Sequence, residues 1–416
     1  MNKGSKIVNV SHEFIPVSFS TPLQIGKGKI THLDYAKVQV QIEGPNNEKG
    51  RGESGSLLSN IWAFIDEKSL RREEQEKAMR NAVVRICNTP ENLSRFENPL
   101  QLHLNSQGNI RSYGQTNGLP LLAMDVCLSP FDLAVWQAWA DCQGKSPYEL
   151  LNEPSLVSTF RSIDERFNSP GALFHEPNPS VRYLHTFGAN TSISSLHSSI
   201  RANRTNAVKI KLIGNVEQDI ARIIEVAQTL AEYGSNYCFS VDGNEKYTGA
   251  NQVGELLEEI RRNSLLERLL YVEQPTSRDL NASGQNMNEV VKEYGVIVTL
   301  DEMAADYTSV DQALERFQWK GVALKPTAKV FSQTLLSMAI ANYHEAHISV
   351  QDLTAPGRAL KQQLDFARRA VALNDPVETN AGQYLAKVDR EKLMPRQEDN
   401  QLYVVRDGVI DTSGIL

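Results

Sequence analysis

The chain has 416 residues, of which 41% are hydrophobic and 22% are charged, and its formal net charge is −7 at pH 7. This length is too great for one ordinary domain, and the hydrophobic fraction suffices for a large globular core. The negative charge, without a Lys/Arg-rich block, argues against nucleic acid and anionic membrane surfaces as partners.

The N-terminal part of the chain predicts an α+β domain that covers residues 1–151. Residues 6–43 have extended character, and the alternation within 31–43, followed by turn residues at 44–47, predicts an antiparallel meander. Helices are predicted over 73–86 and 129–141. In the second helix Ser129 is the expected N-cap and Pro130 the first helical residue.

Residues 181–386 predict a second domain, in which short apolar runs alternate with helical segments. Such alternation is typical of a TIM-type (β/α)₈ barrel, whose strands are covered on both faces. The predicted strands are 183–187, 208–213, 237–241, 269–273, 296–300, 322–324, 347–351 and 377–380. The predicted helices are 193–202, 216–233, 252–262, 287–294, 310–317, 332–344 and 358–371.

Two segments lie outside these domains. Residues 152–180 contain clustered Pro, Gly, Ser and Asn and predict a loop that leads into the barrel. Residues 387–416 form a C-terminal segment, in which 402–410 predicts a hairpin around Asp407-Gly408. We expect this segment to pack back on the N-terminal domain.

Cysteine usage and the termini bear on the cellular compartment. The four cysteines are scattered, without a Cys-x-x-Cys motif, which indicates a reducing compartment rather than a disulfide framework. Residues 1–16 lack an apolar run behind a basic region, so we expect no signal peptide. We also expect no segment that approaches the ~20 apolar residues of a membrane span. These features predict a cytoplasmic protein.

Five charged residues each end a predicted barrel strand, and they are the most informative feature of the sequence. They are Lys211, Asp242, Glu273, Asp301 and Lys325, at successive separations of 31, 31, 28 and 24 residues. One βα unit of a barrel takes about 30 residues, and the active site collects side chains from the C-terminal ends of several strands. We therefore expect these five side chains to converge.

The three acids predict a metal site. Asp242, Glu273 and Asp301 offer only carboxylate oxygens, which select a hard cation such as Mg²⁺, with Mn²⁺ as an acceptable substitute. Because no His or Cys shares the pattern, zinc is disfavoured. Three carboxylates leave open positions on such an ion for a substrate carboxylate.

The two lysines predict acid–base chemistry on either side of that cation. A lysine near a divalent cation and a second lysine has its neutral form favoured, so Lys211 and Lys325 can act as bases near neutral pH. The implied reaction is abstraction of the proton α to a substrate carboxylate, with stabilisation of the enediolate by the cation.

Five motifs, in the order of barrel strands two to six, carry a resemblance to a known family. They are Lys209-Ile-Lys211, Val241–Asn244, Val272–Pro275, Asp301-Glu302 and Ala323–Lys325. The chain resembles the enolase superfamily and, within it, the muconate-lactonizing-enzyme-like (mandelate racemase/muconate lactonizing enzyme) group. The resemblance implies a modified (β/α)₇β barrel under an N-terminal capping domain that the C-terminal segment completes.

The resemblance also implies roles for single residues. Lys211 and Lys325 match the family's catalytic lysines, and Asp242, Glu273 and Asp301 match its metal ligands. The implied outcomes are racemisation or epimerisation, cycloisomerisation or β-elimination, which makes the chain an isomerase or lyase of small-molecule carboxylates. Family members are often symmetric homo-oligomers, so we expect a homo-oligomer here.

Further residues match positions around the substrate. By the resemblance, Lys209 helps to hold the substrate carboxylate, Asn244 lies beside the substrate, and Glu302 supports the neighbouring metal ligand. Asp352 follows the seventh strand and either binds substrate or caps the next helix. Trp62 falls in a loop that closes over the site in the family, although local packing is the simpler expectation for it.

Departures from the motifs separate the subgroups. A mandelate-racemase-like member has an Asp on strand six and a His on strand seven, whereas here the sixth strand ends in Lys325 and Gln351-Asp352 follow the seventh. Dipeptide epimerases carry Asp-x-Asp after strand eight, where this chain has Glu378-Thr-Asn380. Glu378 and Asn380 are further candidates to face the pocket.

Two other functions stay open from the sequence. A sugar-acid dehydratase of the same superfamily usually needs a His acid, and the strand-seven His is missing. A catalytically idle barrel that acts as a binding protein is the other alternative. A lone Asp before Gly, such as Asp242, is often only a turn residue, but the retention of all five strand-end groups argues against an idle barrel.

Overall fold

The computed structural model describes residues 4–25, 28–65, 70–89, 95–279, 287–393 and 405–415. Its N-terminal part contains an antiparallel sheet with the strand order β3-β2-β1-β4. The strands are β1 (Ser5–Ile25), β2 (Gly28–Glu43), β3 (Lys49–Leu57) and β4 (Arg95–Phe96). The helices that follow are α1 (Asn60–Ala63), α2 (Arg72–Cys87), α3 (Pro99–Thr116), α4 (Leu121–Asp141) and α5 (Pro154–Ile163). The predicted meander and the helix near 73–86 are confirmed.

Helix α4 packs directly on strand β3 because two glycines allow close approach. A Cβ atom at Gly50 would lie 2.0 Å from the carbonyl oxygen of Ala138, and one at Gly52 would lie 1.9 Å from that of Ala134. Any side chain at these positions would therefore push the helix off the sheet. This contact forms the core of the N-terminal domain.

The expected start of helix α4 is wrong. The helix begins at Leu121, and Pro130 lies inside it rather than at its first turn. The apolar residues on both sides of Pro130 are buried, and their packing outweighs the backbone hydrogen bond that proline cannot donate. By length and composition α4 could span a membrane, contrary to our expectation, but 89% of its most apolar window is buried inside the protein.

The connection 152–180 is also more ordered than expected. It contains α5 and a 3₁₀ helix at Pro170–Leu173, and each begins with a proline behind a side-chain cap. Glu153 accepts hydrogen bonds from the backbone N–H groups of Ser155 and Leu156. Pro in the first turn is typical of a helix start, and it explains why a Pro-rich segment need not be a loop.

The second part of the chain is a barrel of eight parallel strands, as predicted. The strands are β5 (Ser180–Phe187), β6 (Ala207–Lys211), β7 (Cys238–Asp242), β8 (Leu269–Glu273), β9 (Val298–Leu300), β10 (Gly321–Leu324), β11 (His347–Val350) and β12 (Pro376–Glu378). Neighbours in sequence are neighbours in the sheet, and β12 pairs with β5. A parallel bridge between Gln351 and Glu378 joins β11 to β12 and closes the barrel.

Helices follow the barrel strands at nearly the expected positions. They are α6 (Ile193–Asn203), α7 (Val216–Ala231), α8 (Ala250–Arg262), α9 (Met287–Val291), α10 (Tyr307–Glu315), α11 (Phe331–Tyr343), α12 (Gly357–Ala370), α13 (Ala381–Tyr384) and α14 (Lys387–Leu393). Among the described residues, three further 3₁₀ helices lie at Pro147–Leu150, Leu266–Arg268 and Lys292–Tyr294. The main apolar cluster runs through the N-terminal sheet and helices and the layer between the barrel strands and their helices. A second apolar cluster joins the long hairpin β1–β2 to α12 and α13.

The C-terminal segment contacts both parts of the chain. Asp389 in α14 accepts a hydrogen bond of 2.8 Å from the backbone N–H of Ser18 in β1. Strand β13 (Val409–Asp411) instead pairs antiparallel with the first barrel strand β5, after a tight turn at Asp407-Gly408. The return to the N-terminal domain is thus observed for α14 but not for β13. Residues 394–404, including part of the predicted hairpin, lie outside the described residues, and the domain limits 1–151, 181–386 and 387–416 stay a prediction.

Candidate active site

Three of the five strand-end residues are direct neighbours in the barrel sheet. Lys211 on β6 lies opposite Asp242 on β7, and Asp242 lies opposite Glu273 on β8. Lys211 Nζ contacts Asp242 Oδ2 in a short ion pair. The carboxylates of Asp242 and Glu273 are fully buried, whereas the side chain of Lys211 keeps 14% of its surface exposed. The parallel register therefore places these groups at one level at the C-terminal end of the barrel.

The remaining acid and lysine follow the next two strands. Asp301 comes directly after β9, and Lys325 directly after β10. Their side chains contact each other at 3.1 Å between Lys325 Nζ and Asp301 Oδ2. A further lysine, Lys329, reaches the same carboxylate, with Nζ 3.0 Å from Asp301 Oδ1 and 2.6 Å from the Asp301 carbonyl oxygen. The site is thus flanked by Lys211 at one side and by Lys325 with Lys329 at the other.

Lys209 lies at the centre of this arrangement and is fully buried. Its Nζ is 2.8 Å from the carboxylate of Glu273, 2.5 Å from that of Glu378 and 3.9 Å from that of Asp242. Glu378 ends the last barrel strand and also accepts a hydrogen bond from the Thr186 hydroxyl at 2.8 Å. The bonds of Lys209 therefore join the second, fourth and eighth strands.

Asn244 and Glu302 contact each other beside the metal-ligand candidates. Asn244 donates from its side-chain amide to Glu302 Oε1 at 3.1 Å and from its backbone N–H to Asp242 Oδ1 at 2.9 Å. Glu302 is 3% exposed, and its Oε2 has no hydrogen-bond partner among the residues that the structure describes. Burial, with the charges of Asp301, Glu245 and Asp242, raises the pKa of Glu302 to about 8.

Two glutamines orient the strand-end carboxylates. Gln351, which follows β11, donates from Nε2 to Glu273 Oε2 at 2.6 Å. Gln274 accepts on Oε1 from the backbone N–H groups of Asp301 and Met303, at 2.9 and 3.1 Å. The positive φ of Gln274, +28°, is unusual for a residue other than glycine and belongs to this sharp strand-to-loop turn.

Asp352 ties two loops together. Its carboxylate accepts hydrogen bonds from the backbone N–H of Ala355 at 3.0 Å, from the Thr379 hydroxyl at 3.2 Å and from the backbone N–H of Asn380 at 3.2 Å. Burial and the nearby charge of Glu378 raise the pKa of Asp352 to about 7. These contacts hold the loop after β11 against the loop after β12, and a direct contact with substrate stays a prediction.

Trp62 reaches the site from the N-terminal domain. It is 3% exposed, and its indole ring lies with its centroid 5.1 Å from Lys325 Nζ and 5.9 Å from Lys329 Nζ. Distances below about 6 Å are typical of cation–π contacts. The simpler expectation for Trp62 was local packing. That expectation did not include its contact with Lys325, a predicted catalytic lysine.

Each of the two catalytic candidates is paired with a carboxylate, and this pairing affects its pKa. Burial disfavours the ammonium form of Lys211, but attraction to Asp242 outweighs it and raises the pKa above its ordinary value. For Lys325, Asp301 likewise outweighs burial and raises the pKa. The lowering of the lysine pKa values that we expect beside a divalent cation stays a prediction, because here each lysine is paired with a carboxylate that would hold that cation.

The chemistry of the buried groups fits a hard divalent cation. Five carboxyl groups face four ammonium groups here: Asp242, Glu273, Asp301, Glu302 and Glu378 against Lys209, Lys211, Lys325 and Lys329. An excess of buried carboxylates favours protonation or cation binding. Within the described ranges, however, no three His, Cys, Asp or Glu side chains stand at metal-binding spacing. Each predicted ligand instead contacts a lysine ammonium group.

Sequence reasoning identified the strand-end residues and missed several of their partners. Lys329 and Gln351 lie just beyond strands, where polar residues are common, and neither carries a signal of its own. Glu378 was named only as a candidate to face the pocket, although it contacts Lys209. Arg278, which holds the backbone of Trp62, lies in a loop without a recognisable motif. These residues could be identified only if it were known which loops lie against each other in the fold.

Comparison with known proteins identifies the fold. No family model and no curated protein matches the sequence. Among solved structures, the dipeptide epimerase of Enterococcus faecalis V583, complexed with Mg and L-Leu-L-Tyr, has 14% identity and a TM-score of 0.68 over 98% of this chain and 97% of that chain. The muconate lactonizing enzyme of Pseudomonas fluorescens, complexed with muconolactone, has 16% identity and a TM-score of 0.66 over 98% and 94%.

A third structure extends this likeness. The N-succinyl Arg/Lys racemase of Bacillus cereus has 14% identity and a TM-score of 0.64, over 97% of this chain and 95% of that chain. At these identities the likeness shows the fold. The capped barrel of the mandelate racemase/muconate lactonizing enzyme type, which the sequence motifs imply, is thereby confirmed.

Proposed function

We propose that this chain is an enzyme of the enolase superfamily that abstracts the proton α to the carboxylate of a small-molecule acid. The outcome is racemisation or epimerisation, cycloisomerisation or β-elimination, so the enzyme is an isomerase or lyase. One observation carries the proposal: Lys211 and Lys325 flank buried carboxylates that end successive barrel strands. The names of the structural neighbours, an epimerase, a cycloisomerase-type lactonizing enzyme and a racemase, agree with this reaction type.

In the proposed reaction the two lysines act on opposite faces of the α-carbon. Lys211 projects from β6 and Lys325 from the loop after β10, with the three acids between them in the barrel order. One lysine removes the proton, and the other delivers a proton to the opposite face when the configuration inverts. The lysine that acts as the base must first lose its own proton, since an ammonium group paired with Asp242 or Asp301 cannot accept one, whereas the lysine that delivers a proton acts in its ammonium form.

Asp242, Glu273 and Asp301 would hold Mg²⁺, or Mn²⁺ in its place. When bound, the cation supplies positive charge that offsets the negative charge developing on the substrate carboxylate. Lys209 supports the same carboxylate through its ammonium group, and Glu273 and Glu378 keep that group in position at 2.8 and 2.5 Å. Burial of all these groups excludes water and strengthens their interaction with the developing charge.

The proposal also covers the cellular compartment, the oligomeric state and the partners of the enzyme. We infer a cytoplasmic homo-oligomer that acts on small molecules, without nucleic acid or membrane partners. The dehydratase alternative gains no support from the loop after β11, where Gln351 donates to Glu273 and Asp352 accepts backbone hydrogen bonds. Neither residue has the imidazole acid that such a reaction usually uses.

Hydrogen–deuterium exchange at the α-carbon tests the proposal. A library of chiral carboxylic acids, each enantiomer separate, is incubated with the protein and Mg²⁺ in D₂O and followed by ¹H NMR. We expect Lys211→Ala to abolish exchange that starts from one enantiomer and Lys325→Ala to abolish exchange that starts from the other. If either variant exchanges both enantiomers at the wild-type rate, that lysine has no role in proton transfer.

A further inference from the structure

The contact between Trp62 and Lys325 joins the N-terminal domain to one side of the site. Lys325 Nζ lies over the face of the indole, 5.1 Å from its centroid, and 3.1 Å from Asp301 Oδ2. Lys325 and Trp62 are 5% and 3% exposed, so water has little access between them. The ammonium group of Lys325 is thus held between a carboxylate of the barrel and an aromatic ring of the N-terminal domain.

The position of Trp62 is set by an ion pair in the barrel loops. Arg278, in the loop after β8, donates to the carbonyl oxygen of Trp62 at 3.3 Å and to that of Ala63 at 3.4 Å. These carbonyls belong to the short helix α1, whose last turn leaves them without partners within the helix. The barrel loop therefore binds the backbone of the segment that carries the indole.

Glu245 holds the guanidinium group of Arg278 in turn. Its carboxylate is 2.6 Å from Arg278 Nη2 and also accepts from Nε at 2.9 Å and from the backbone N–H of Arg278 at 2.6 Å. Glu245 has φ = +64°, a conformation that is uncommon outside glycine and that turns its side chain toward the next loop. Glu245 comes directly after Asn244, so the Arg278–Glu245 ion pair lies beside the predicted substrate site.

We propose that Trp62 is a positioning residue for Lys325, held in place by the Arg278–Glu245 ion pair, and that it serves proton transfer on one face of the substrate only. The proposal rests on the proposed two-lysine function. Its physical basis is orientation: a lysine side chain has four rotatable bonds, and small misplacements of a reacting group are costly in rate. Of the two catalytic candidates, Lys325 contacts this ring, whereas Lys211 is held by Asp242.

The test is α-proton exchange measured from each enantiomer separately, with Lys325→Ala marking the enantiomer that Lys325 deprotonates. We expect Trp62→Ala to slow exchange of that enantiomer roughly tenfold or more and to leave exchange of the other within about twofold. Trp62→Phe, which keeps an aromatic face, should restore most of the lost rate. Arg278→Met keeps the indole but removes the ion pair that holds its backbone. This variant should therefore also slow exchange of that enantiomer alone. Equal loss from both enantiomers, or no loss, would overturn the proposal.

A second measurement does not depend on turnover. Trace labelling with acetic anhydride, followed by peptide mass mapping, gives the reactivity of Lys325 relative to Lys211 in the folded protein. We expect Trp62→Ala to raise this ratio several-fold and Trp62→Phe to leave it near the wild-type value. An unchanged ratio in Trp62→Ala would refute the positioning role, even if no acid in the library exchanges, whereas absent exchange with a changed ratio would count against the proposed function alone.

Discussion

At the scale of single residues, Lys209 is a fully buried lysine with more than one carboxylate partner. Its ammonium group is shared between the carboxylates of Glu273 and Glu378. Buried ion pairs of this kind add little net stability relative to apolar residues, but the removal of one partner leaves the others as uncompensated charges. The stability of the barrel therefore depends on this lysine independently of any catalytic role.

We predict that Lys209→Met lowers the free energy of unfolding by about 3–5 kcal/mol, because two buried carboxylates lose their ammonium partner. Chemical denaturation followed by circular dichroism measures the loss. Lys387→Met is a suitable control, since the Lys387 side chain is 80% exposed and its loss should cost less than about 0.5 kcal/mol. The double variant Lys209→Met/Glu378→Gln should regain part of the loss. Equal stability of Lys209→Met and the control would contradict this account.

The predictability of the site also differs from residue to residue. Lys211, Asp242 and Glu273 could be predicted because parallel strands of one barrel end at one level, so a strand-end position in the sequence fixes a place in space. Trp62 and Lys329 could not, because their positions depend on how the cap docks and on a loop after β10. Such contacts are long-range, and no local pattern in the sequence encodes them.

At the scale of elements, helix α11 depends on a cap from another part of the chain. Val330, at its N-cap position, has no side-chain capping bond and adopts φ = +61°. Asp132 of α4 supplies the acceptor instead, with hydrogen bonds from the Ser332 backbone N–H at 3.0 Å and from its hydroxyl at 2.7 Å. The two domains are therefore joined by a helix cap that crosses their interface.

This cap gives the protein a pH-dependent stability. Burial raises the pKa of Asp132 from 3.8 to about 7, although the bonds from Ser332 favour its charged form. Because the folded chain binds this proton more tightly, the contribution of Asp132 to stability is largest below about pH 4 and is lost as the pH rises toward 7. The free energy of unfolding of the wild type, minus that of Asp132→Asn, should therefore fall between pH 4 and 7. A difference that stays constant or rises over this range would refute the assignment.

The elements themselves were predictable where periodicity was strong. The barrel strands and their helices follow the apolar pattern to within a few residues, since the strands are buried on both faces and each helix buries one face. The start of α4 was not predictable from Pro130, because burial of residues on both sides of Pro130 overrides a local start signal. The short helices at Pro154–Ile163 and Pro170–Leu173 were missed for a different reason: each begins with a side-chain cap and a proline, in a segment whose Pro and Gly content predicts a loop.

At the scale of the whole molecule, the cap and the barrel enclose one strongly charged interior. The hairpin β1–β2 packs on α12 and α13, and Trp62 covers the lysines after β10. Among the described residues, five carboxyl groups and four ammonium groups meet at the strand ends. A divalent cation that binds the folded chain and not the unfolded chain stabilises the fold. The effect of Mg²⁺ on stability therefore distinguishes a metal-dependent enzyme from a catalytically idle barrel.

We predict that MgCl₂ raises the unfolding temperature, with a stabilisation of about 2.7 kcal/mol when free Mg²⁺ is a hundred times its dissociation constant. Asp242→Asn should show little of this shift. NaCl at matched ionic strength controls for screening of surface charges. If Mg²⁺ and NaCl act equally on the wild type, the alternative of a barrel that only binds other molecules would be favoured.

The central claim is metal-dependent removal of an α-proton, and one measurement tests it most directly. The acid library is incubated with wild-type protein in D₂O, first with Mg²⁺, then with excess EDTA, and then with Mg²⁺ restored, while mass spectrometry follows deuterium at the α-carbon. We predict exchange for at least one acid, its loss with EDTA and its return with Mg²⁺. Absence of exchange for every acid, or exchange that EDTA does not change, would contradict the account.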